Sequence, residues 1–448
     1  MGLNARSKTE LSELHDDSNI ADVFHFKRIK KITNKKIIWR LPCSKSHFIR
    51  WLFISAQTSK KTKIIFTSKI GKDVLSCANV LEKLGVKIKK NKNYWEIIGC
   101  EKGKFNMNPG VLDCGNSATT LRFLTFLLVR NGINAKVIGD ESLSKRNFSQ
   151  LIKILEKGGV IVKHENNKGF LPFSVQGKFN LNLIDVSVKK TSQLLSGLII
   201  TMPSINGENK LLISGKMVSK PYFELTLQIC KETGAIININ DDIIELNSWV
   251  PKINNSVIIF GEASLVIFPI LFCKLHDIDV LVENWSQIDE NLGFELLGNY
   301  LPHFGLKWNI DENKIMVNNV GNDSFVSLDI TNNIDLITPL SVLMSLSGGG
   351  SLKGISHAKN KESNRIETTI ELFEKFGLKL NLSEELVISK SNLSIPEKTI
   401  YAYGDHRLQM SALILLSFTG GTSESNPWYE NSDPEFVERL QSYGVSIY

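Results

Sequence analysis

The hydrophobic positions along this chain repeat six times in one order, in which a helical pattern leads to a glycine and short β-type segments follow. Apolar residues at helical spacing precede each glycine, and alternating apolar and polar residues come after it. The glycines lie 67 to 75 residues apart, at Gly85, Gly159, Gly234, Gly305, Gly377 and Gly444. A glycine just past a helix suits the left-handed backbone conformation at a helix C-terminus. The pattern therefore predicts six helices that end at these glycines, each followed by two short strands.

Three copies contain the predicted hairpin most clearly: VLEKLGVKIKKNKNYWEII, LIKILEKGGVIVKHENNKGFLPFSV and LFEKFGLKLNLSEELVIS. A repeat of about 70 residues is too long for ankyrin or tetratricopeptide units and matches a complete supersecondary unit. A chain of 448 residues also exceeds what one hydrophobic core usually holds. We therefore expect two lobes of three units each, with a ligand site in the cleft between them.

Composition and charge narrow the class of partner. Hydrophobic residues make up 42% and charged residues 22% of the chain, as in ordinary soluble globular proteins. The net charge of +7 comes from scattered lysines, without the dense basic face that nucleic-acid binding needs. A weak positive field suits small anionic substrates. No apolar run approaches the roughly 18 residues that span a bilayer, so neither nucleic acid nor membrane is an expected partner.

The N-terminus and the cysteines indicate a reducing compartment. Residues 1–22 are polar and contain five acidic residues, unlike a secretory or transit peptide, and are expected to form a flexible extension. Arg6 stands where a myristoylation signal has Ser or Thr. Six cysteines without a Cys-x-x-Cys pair predict buried thiols, with neither a disulfide framework nor a zinc site. We expect a cytoplasmic protein.

Basic and hydroxyl residues recur where helices are predicted to start. In LPCSKSHFIR, Ser44 can cap a helix whose first turns carry Lys45, Ser46 and Arg50. A helix N-terminus with a hydroxyl and two cations can bind an oxyanion, although a capped helix with surface cations is an equally good interpretation. Further candidates begin or precede later helices: Asn116, Arg146, Thr191, Ser192, Gln193, Ser219, Tyr222, Asp335, Lys361, Glu362, Arg365 and Arg407.

Each of these segments alone could be a cap or a surface loop. Lys361 and Arg365 are predicted to share one helical face, where two cations repel each other unless an anion lies between them. Asp405 is predicted to cap the last long helix and to aim Arg407. Cations from both halves that meet in one cleft would bind a ligand with two or more anionic groups, since Arg contacts such groups bidentately.

Taken in order, the segments SKSHFIR, GNSATTLRFL, GDESLSKR, SKPYFELTL, KESNRIE and YGDHRLQM resemble the 5-enolpyruvylshikimate-3-phosphate synthase family. The resemblance runs from about Ile37 to the C-terminus. It implies an α/β (α+β) fold of two lobes, each built from three βαβαββ units. The chain would cross between the lobes near Cys43 and near Gly261. One lobe would then contain residues 1–43 and 261–448, and the other residues 44–260.

The resemblance also implies an enzyme that transfers the enolpyruvyl group of phosphoenolpyruvate to the 5-hydroxyl of shikimate 3-phosphate and releases phosphate. This is a step of the shikimate pathway to chorismate and the aromatic amino acids. The small molecules are the only expected partners, no metal or other cofactor is implied, and we expect a monomer.

Residue roles follow from the same resemblance. Lys45 would contact both substrates, and Ser46 and Arg50 would hold the shikimate carboxylate region. The phosphoshikimate pocket would be lined by Thr191, Ser192, Gln193, Ser219 and Tyr222, with Gln193 also reaching phosphoenolpyruvate. Phosphoenolpyruvate would be gripped by Asn116, Arg146, Arg365 and Arg407, and His357 would also bind substrate. Asp335 would accept the hydroxyl proton with Lys361 nearby, and Glu362 would protonate the phosphoenolpyruvate methylene group.

Several residues depart from the family pattern. Asn431 stands where the family has a phosphate-contacting lysine and Asp433 lies nearby, so weaker phosphoenolpyruvate binding is expected. Ala118 replaces a usual glycine, and we hypothesise that its methyl group makes the enzyme tolerant of glyphosate, a bulkier competitor. Glu262 stands in for a usual aspartate.

Two other functions stay open at this point. One is an enolpyruvyl transferase with another acceptor, such as a modified cyclitol or a nucleotide sugar. The nucleotide-sugar branch is disfavoured, because its reactive cysteine loop has no counterpart here. The other is a catalytically inactive protein that keeps the anion cleft.

Overall fold

The computed structural model describes residues 23–28, 32, 36–101, 104–204, 207–286 and 295–448. The predicted extension at residues 1–22 lies outside the described residues. The strands, in chain order, are β1 (Val23–Phe26), β2 (Lys36–Arg40), β3 (Thr62–Ile65), β4 (Lys87–Lys90), β5 (Tyr94–Ile98), β6 (Val111–Asp113), β7 (Ala135–Ile138), β8 (Ile161–His164), β9 (Phe173–Gln176), β10 (Leu183–Ser187), β11 (Glu208–Ser214), β12 (Ile237–Asn240), β13 (Ile243–Asn247), β14 (Ser256–Ile258), β15 (Asp279–Glu283), β16 (Phe304–Asp311), β17 (Lys314–Asp323), β18 (Val326–Asp329), β19 (Gly350–Lys353), β20 (Lys379–Leu382), β21 (Leu386–Ser389) and β22 (Gly421–Glu424).

The helices alternate with these strands. They are α1 (Lys45–Ser55), α2 (Lys72–Lys83), α3 (Ala118–Asn131), α4 (Glu141–Ser144), α5 (Ser149–Lys157), α6 (Gln193–Ile200), α7 (Lys220–Glu232), α8 (Ile267–His276), α9 (Glu295–Tyr300), α10 (Ile337–Ser345), α11 (Arg365–Lys375), α12 (His406–Thr419) and α13 (Phe436–Ser442). None of the helices in the described part of the chain is long and apolar enough to cross a membrane.

Five four-stranded sheets share one topology. Their strand orders are β14-β3-β5-β4, β6-β7-β9-β8, β10-β11-β13-β12, β2-β15-β17-β16 and β18-β19-β21-β20. In each sheet the first two strands are parallel and the other two pairings are antiparallel. The hairpins predicted after the first five glycines are therefore present, and the α/β fold is confirmed.

The sixth unit differs from the prediction. Only four residues follow Gly444, too few for two strands. The second strand comes from the other end of the chain, because β1 pairs antiparallel with β22 and a β-bridge joins Phe26 to Ile447. The backbone N–H of His25 also donates to the carbonyl of Tyr448 at 2.8 Å. The two ends of the described chain thus complete one sheet together.

The predicted glycine positions are confirmed by the backbone. All six have positive φ, from +65° at Gly305 to +99° at Gly234. This conformation favours glycine because a side chain there would clash with the backbone. Each helical segment therefore ends where the sequence pattern places its end.

Two sets of helices form the interior. The helices α1, α3 and α6 contact one another, and so do α8, α10 and α12. Helix α6 (QLLSGLII) is apolar on all sides and almost wholly buried. A side chain at Gly197 would come within 2.9 Å of Phe126, so this glycine allows α6 to pack closely on α3. Each set brings together the first helix of three successive units.

The two segments predicted to cross between lobes lie side by side. A β-bridge joins Cys43 to Gly261, and the N–H of Ser44 donates to the carbonyl of Phe260 at 2.9 Å. The lobe boundaries drawn there stay a prediction. All six cysteines are free and buried, as predicted.

Candidate active site

A cavity of about 1660 Å³ lies between the two sets of units. The candidates from the sequence line it, with one exception, and come from both halves of the chain: Lys45, Ser46, Arg50, Asn116, Arg146, Thr191, Ser192, Gln193, Ser219, Tyr222, Asp335, Lys361, Glu362, Arg365 and Arg407. The exception is His357, which is buried but does not line the cavity.

The N-terminus of α1 presents the first cations. Ser44 caps the helix by accepting from the N–H of His47 at 3.4 Å. Lys45 reaches Asp73 at 2.9 Å across this end of the cavity. Arg50 is fully buried and donates to the Thr226 hydroxyl and the Tyr222 carbonyl, both at 2.8 Å, and burial lowers its pKa to about 10. Arg50 therefore fixes α1 to α7.

Arg146 reaches across the cleft. Its guanidinium donates to Asn116 Oδ1 at 2.7 Å and lies 3.6 Å from the Glu362 carboxylate. Asn116 in turn donates to Asp140 at 2.8 Å, and Asp140 caps the short helix α4 that precedes Arg146. The orientation of Arg146 is thus set by an amide that is itself held by a carboxylate.

Hydroxyl and amide groups form another wall. The Ser192 hydroxyl donates to the Ser219 carbonyl at 3.1 Å, and the N–H of Gln193 donates to Thr191 at 3.2 Å. The Tyr222 hydroxyl donates to Asp335 Oδ2 at 3.3 Å, which joins the two halves. Burial raises the pKa of Tyr222 well above its usual value, so this phenol stays a donor.

Asp335 is the anion that lies between Lys361 and Arg365. Its Oδ1 atom is 3.2 Å from Lys361 and 2.6 Å from Arg365. The prediction that these two cations share a helical face was wrong, because α11 begins at Arg365 and Lys361 has an extended backbone before it. Burial alone would raise the pKa of Asp335, but Lys361, Arg365 and Arg407 hold it well below its usual range.

Arg365 is the centre of an ion cluster. Its guanidinium donates to Asp335, Glu362 and Asp405, each at 2.6 Å, although its side chain is only 1% exposed. Burial would raise the pKa of Glu362, but Arg365 and Arg146 hold it well below its usual range. Both Asp335 and Glu362 are therefore carboxylates at neutral pH in this arrangement.

Asp405 has two functions at the start of α12. It accepts from the N–H of Arg407 at 2.9 Å, which confirms the predicted cap. Its carboxylate binds Arg365 and does not aim the Arg407 side chain as predicted. The Arg407 guanidinium is held by Ser264 instead, whose hydroxyl accepts at 2.7 Å.

The departures from the family pattern at the C-terminal end lie outside the cavity lining. Asn431 is buried and does not line the cavity. Asp433 forms a buried ion pair with Arg439 at 2.7 Å, so its charge is compensated away from the cavity. Ala118, at the start of α3, does line the cavity.

Sequence reasoning missed several groups that line the cavity or hold its residues. Arg122 lines it, donates to the Gln193 side chain and lies over the Phe148 ring at 5.1 Å. His406 lines it too, and neither of its ring nitrogens has a hydrogen-bond partner among the described residues. Burial and then Lys45 hold the pKa of His406 well below its usual value. Arg122 lies in the motif GNSATTLRFL and His406 in YGDHRLQM, so these two motifs could have indicated both residues.

The arrangement can bind anionic groups and move protons. Cations from both halves point into one cavity, and charge-assisted hydrogen bonds from such cations contribute roughly 1.5–3 kcal/mol each. Asp335 and Glu362 lie among these cations as possible proton carriers. Within the described ranges, no group of three or more His, Cys, Asp or Glu side chains could hold a metal ion.

Comparisons with known proteins point to one family. The family model described as EPSP synthase (3-phosphoshikimate 1-carboxyvinyltransferase) matches residues 29–439. The 3-phosphoshikimate 1-carboxyvinyltransferase of Methanococcus vannielii is 26% identical over 432 residues, which cover 94% of this chain and 99% of that protein. The protein of the same name from Sulfurisphaera tokodaii is 27% identical over 411 residues, which cover 91% and 96% of the two chains.

Solved structures share the fold. The EPSP synthase structure from Acinetobacter baumannii has a TM-score of 0.74 at 20% identity, covering 95% of this chain and 99% of that one. The enolpyruvyl transferase NikO from Streptomyces tendae has a TM-score of 0.71 at 13% identity, covering 95% and 98%. These structural likenesses establish the enolpyruvyl transferase architecture.

Proposed function

This chain belongs to the EPSP synthase family, and we propose that the cavity described above carries out the reaction of that family. The protein is a transferase of the shikimate pathway that acts on phosphoenolpyruvate and shikimate 3-phosphate. It moves the enolpyruvyl group to the 5-hydroxyl of shikimate 3-phosphate and releases phosphate. The roles of individual residues are our proposal.

One observation supports these roles more than any other. Cations from segments far apart in the chain converge on a single cavity, and the carboxylates of Asp335 and Glu362 lie between them. Two anionic substrates need cations on several walls, and an addition to a double bond needs a proton donor and a proton acceptor.

Phosphoenolpyruvate binds to Asn116, Arg146, Arg365 and Arg407, and Lys45 contacts both substrates. Shikimate 3-phosphate binds along the wall formed by Ser46, Thr191, Ser192, Gln193, Ser219 and Tyr222. Arg50 supports that wall from behind, since its hydrogen bonds go to Thr226, Tyr222 and Ser46. His357 is buried outside the cavity, and burial, followed by the charge of Lys361, lowers its pKa to about 4.

The reaction proceeds by addition and elimination. Glu362 donates a proton to the methylene carbon, which leaves a cationic carbon bearing the phosphate and carboxylate. The 5-hydroxyl attacks that carbon, and its proton passes to Asp335. The intermediate then loses phosphate, and the Glu362 carboxylate takes back a proton from the methyl group, which restores the double bond. Lys361 and the arginines stabilise the charge of the departing phosphate.

Glu362 must be protonated before it can act as an acid. Its pKa is held down by Arg365 and Arg146 when no substrate is bound. Anionic groups of phosphoenolpyruvate on those arginines would counter their field, so the Glu362 pKa rises when substrate binds.

Contacts across the cleft support a closed reaction chamber. The Ser142 hydroxyl donates to the Glu362 carbonyl at 3.2 Å, and the N–H of Ser219 donates to the Thr331 carbonyl at 3.3 Å. Closure excludes water that would otherwise hydrolyse phosphoenolpyruvate. We assign the side of the cavity that carries Ser142 and Ser219 to a lobe of residues 44–260. We assign the opposite side, with Thr331 and Glu362, to a lobe of residues 1–43 and 261–448. A monomer in the cytoplasm remains our expectation for this enzyme.

Steady-state phosphate release tests the proposal. Purified protein is supplied with phosphoenolpyruvate, with and without shikimate 3-phosphate, and the organic product is identified by mass. Release that depends on both compounds supports the proposal. Turnover only with another cyclitol acceptor would reassign the substrate. Tight binding of both anions without turnover would identify an inactive homologue.

A further inference from the structure

We propose that Glu262 is a positioning residue for Arg407, the phosphoenolpyruvate-binding cation. The proposal rests on the function proposed above. Glu262 acts through the Ser264 hydroxyl and does not itself contact the reacting atoms.

Glu262 is anchored where the two crossing segments lie together. Its backbone N–H donates to the Pro42 carbonyl at 2.8 Å, next to the β-bridge between Cys43 and Gly261. The residue is only 3% exposed. The backbone that carries this carboxylate is therefore held by hydrogen bonds between the two crossing segments.

Each oxygen of this carboxylate accepts from a serine hydroxyl. Oε1 accepts from Ser264 at 3.0 Å, and Oε2 accepts from Ser44 at 2.9 Å. Ser264 belongs to the 3₁₀ turn Ala263–Leu265, directly after Glu262. The Glu262 carboxylate thus binds the turn that contacts Arg407 and also binds Ser44, the cap of the helix that carries Lys45.

Ser264 supplies the polar contacts of the Arg407 guanidinium within the described part of the chain. Nη1 donates to the Ser264 carbonyl at 3.1 Å, and Nη2 donates to the Ser264 hydroxyl at 2.7 Å. A hydroxyl has one proton and two lone pairs. Because the Ser264 proton goes to Glu262, the lone pairs of its oxygen face Arg407. Glu262 therefore fixes the direction in which this hydroxyl accepts.

This arrangement leaves the charge of Arg407 available. No carboxylate of the described residues lies within 4.0 Å of its guanidinium, whereas Arg365 has three. A neutral hydroxyl and a carbonyl can orient an arginine without neutralising it. The Ser264 hydroxyl lies between Glu262 and Arg407, so Glu262 orients this hydroxyl without forming an ion pair with Arg407. Arg407 is thereby held ready for an anionic ligand.

Glutamine at this position would disturb the arrangement. Its amide has one oxygen and one NH₂ group in place of the two oxygens that accept from Ser264 and Ser44, so only one of the two serines keeps its acceptor. We expect Glu262→Gln to raise the KM for phosphoenolpyruvate about tenfold, as the loss of one oriented charge-assisted hydrogen bond would. The KM for shikimate 3-phosphate should change less than twofold. Glu262→Asp, which keeps the charge on a shorter side chain, should recover part of the loss.

Double substitution separates this role from a general structural one. Ser264→Ala should raise the KM for phosphoenolpyruvate about as much as Glu262→Gln does. The KM of the combined variant should be no higher than that of the more affected single variant, because both substitutions act on one contact. Glu283→Gln, in strand β15 and outside the cavity, is the matched control and should leave both KM values unchanged. Thermal melting of every variant measures stability separately.

Three results would overturn the proposal. They are an unchanged KM in Glu262→Gln, additive effects in the double variant, and a Ser44→Ala variant that raises the phosphoenolpyruvate KM as much as Ser264→Ala. Calorimetric titration with phosphoenolpyruvate measures the same affinities without turnover. An inactive wild-type protein would therefore refute the proposed function while the effect of Glu262 on binding could still be measured.

Discussion

The Asp335→Asn substitution tests the proposed proton acceptor most directly. Asparagine has nearly the same shape and can still accept a hydrogen bond from Arg365, now 2.6 Å from Asp335. Arg365 also keeps Glu362 and Asp405 as partners. The protein should therefore fold, while the group that takes the hydroxyl proton is gone.

The size of the effect follows from the role. General base catalysis contributes about 10²- to 10⁴-fold, which corresponds to a barrier about 3–5 kcal/mol higher when the base is lost. The substitution also removes a negative charge that lies 3.2 Å from Lys361. That cation then attracts an anionic substrate more strongly, so KM for phosphoenolpyruvate should fall or stay constant. A loss confined to kcat distinguishes a base from a binding residue.

Initial rates of phosphate release, measured over a grid of both substrate concentrations, give kcat and both KM values. Asp329→Asn is the matched control, because Asp329 lies in the same unit, outside the cavity, and accepts from the Thr331 N–H at 2.8 Å. Its kcat should stay within twofold of wild type. A kcat within tenfold of wild type in Asp335→Asn, or a loss carried wholly by KM, would refute the assignment.

Three further predictions follow from the cavity. Arg365→Leu leaves buried carboxylates without their cation and should destabilise the protein by about 3–5 kcal/mol, seen as a lower Tm, with Arg365→Lys less affected. The pKa values of Asp335 and Glu362 are depressed, so these carboxylates stabilise the fold above the ordinary carboxylate pKa of about 4, and this stabilisation is lost as the pH falls below that value. Thermal melting between pH 7 and pH 3 should show the loss as a falling Tm. The fall should be smaller in Asp335→Asn. Ala118→Gly should lower the glyphosate concentration that halves activity, and inhibition of the wild type as strong as that of the variant would exclude a role for the methyl group.

Local features of the fold could be predicted because neighbouring residues determine them. The glycines at helix ends adopt the left-handed conformation that their sequence context requires. Ser44 caps α1 because the hydroxyl and the free N–H groups lie within one turn. The hairpins follow from alternation over a few residues. The family motifs likewise contain the cavity-lining cations Lys45, Arg146, Lys361, Arg365 and Arg407, since each motif is a short contiguous segment.

The partners of the charged groups depended on tertiary structure. Asp335 lies between Lys361 and Arg365 because their shared unit folds so that the starts of its two helices meet. Asp405 binds Arg365 with its carboxylate because the next unit meets this one at the cavity. Asp433 is neutralised by Arg439, which the sequence did not indicate.

In the last unit, the pairing of backbone strands also depended on tertiary structure. The sequence by itself determined where helices end and which segments carry hydroxyls and cations, since those properties depend on a few adjacent residues. It did not determine that β1 completes the sheet of β22, or which carboxylate meets which cation. The pairing of β1 with β22 joins residues hundreds of positions apart, and Asp335 and Asp405 lie tens of positions from the cations that they bind. Only the packed fold brings these groups within hydrogen-bond distance.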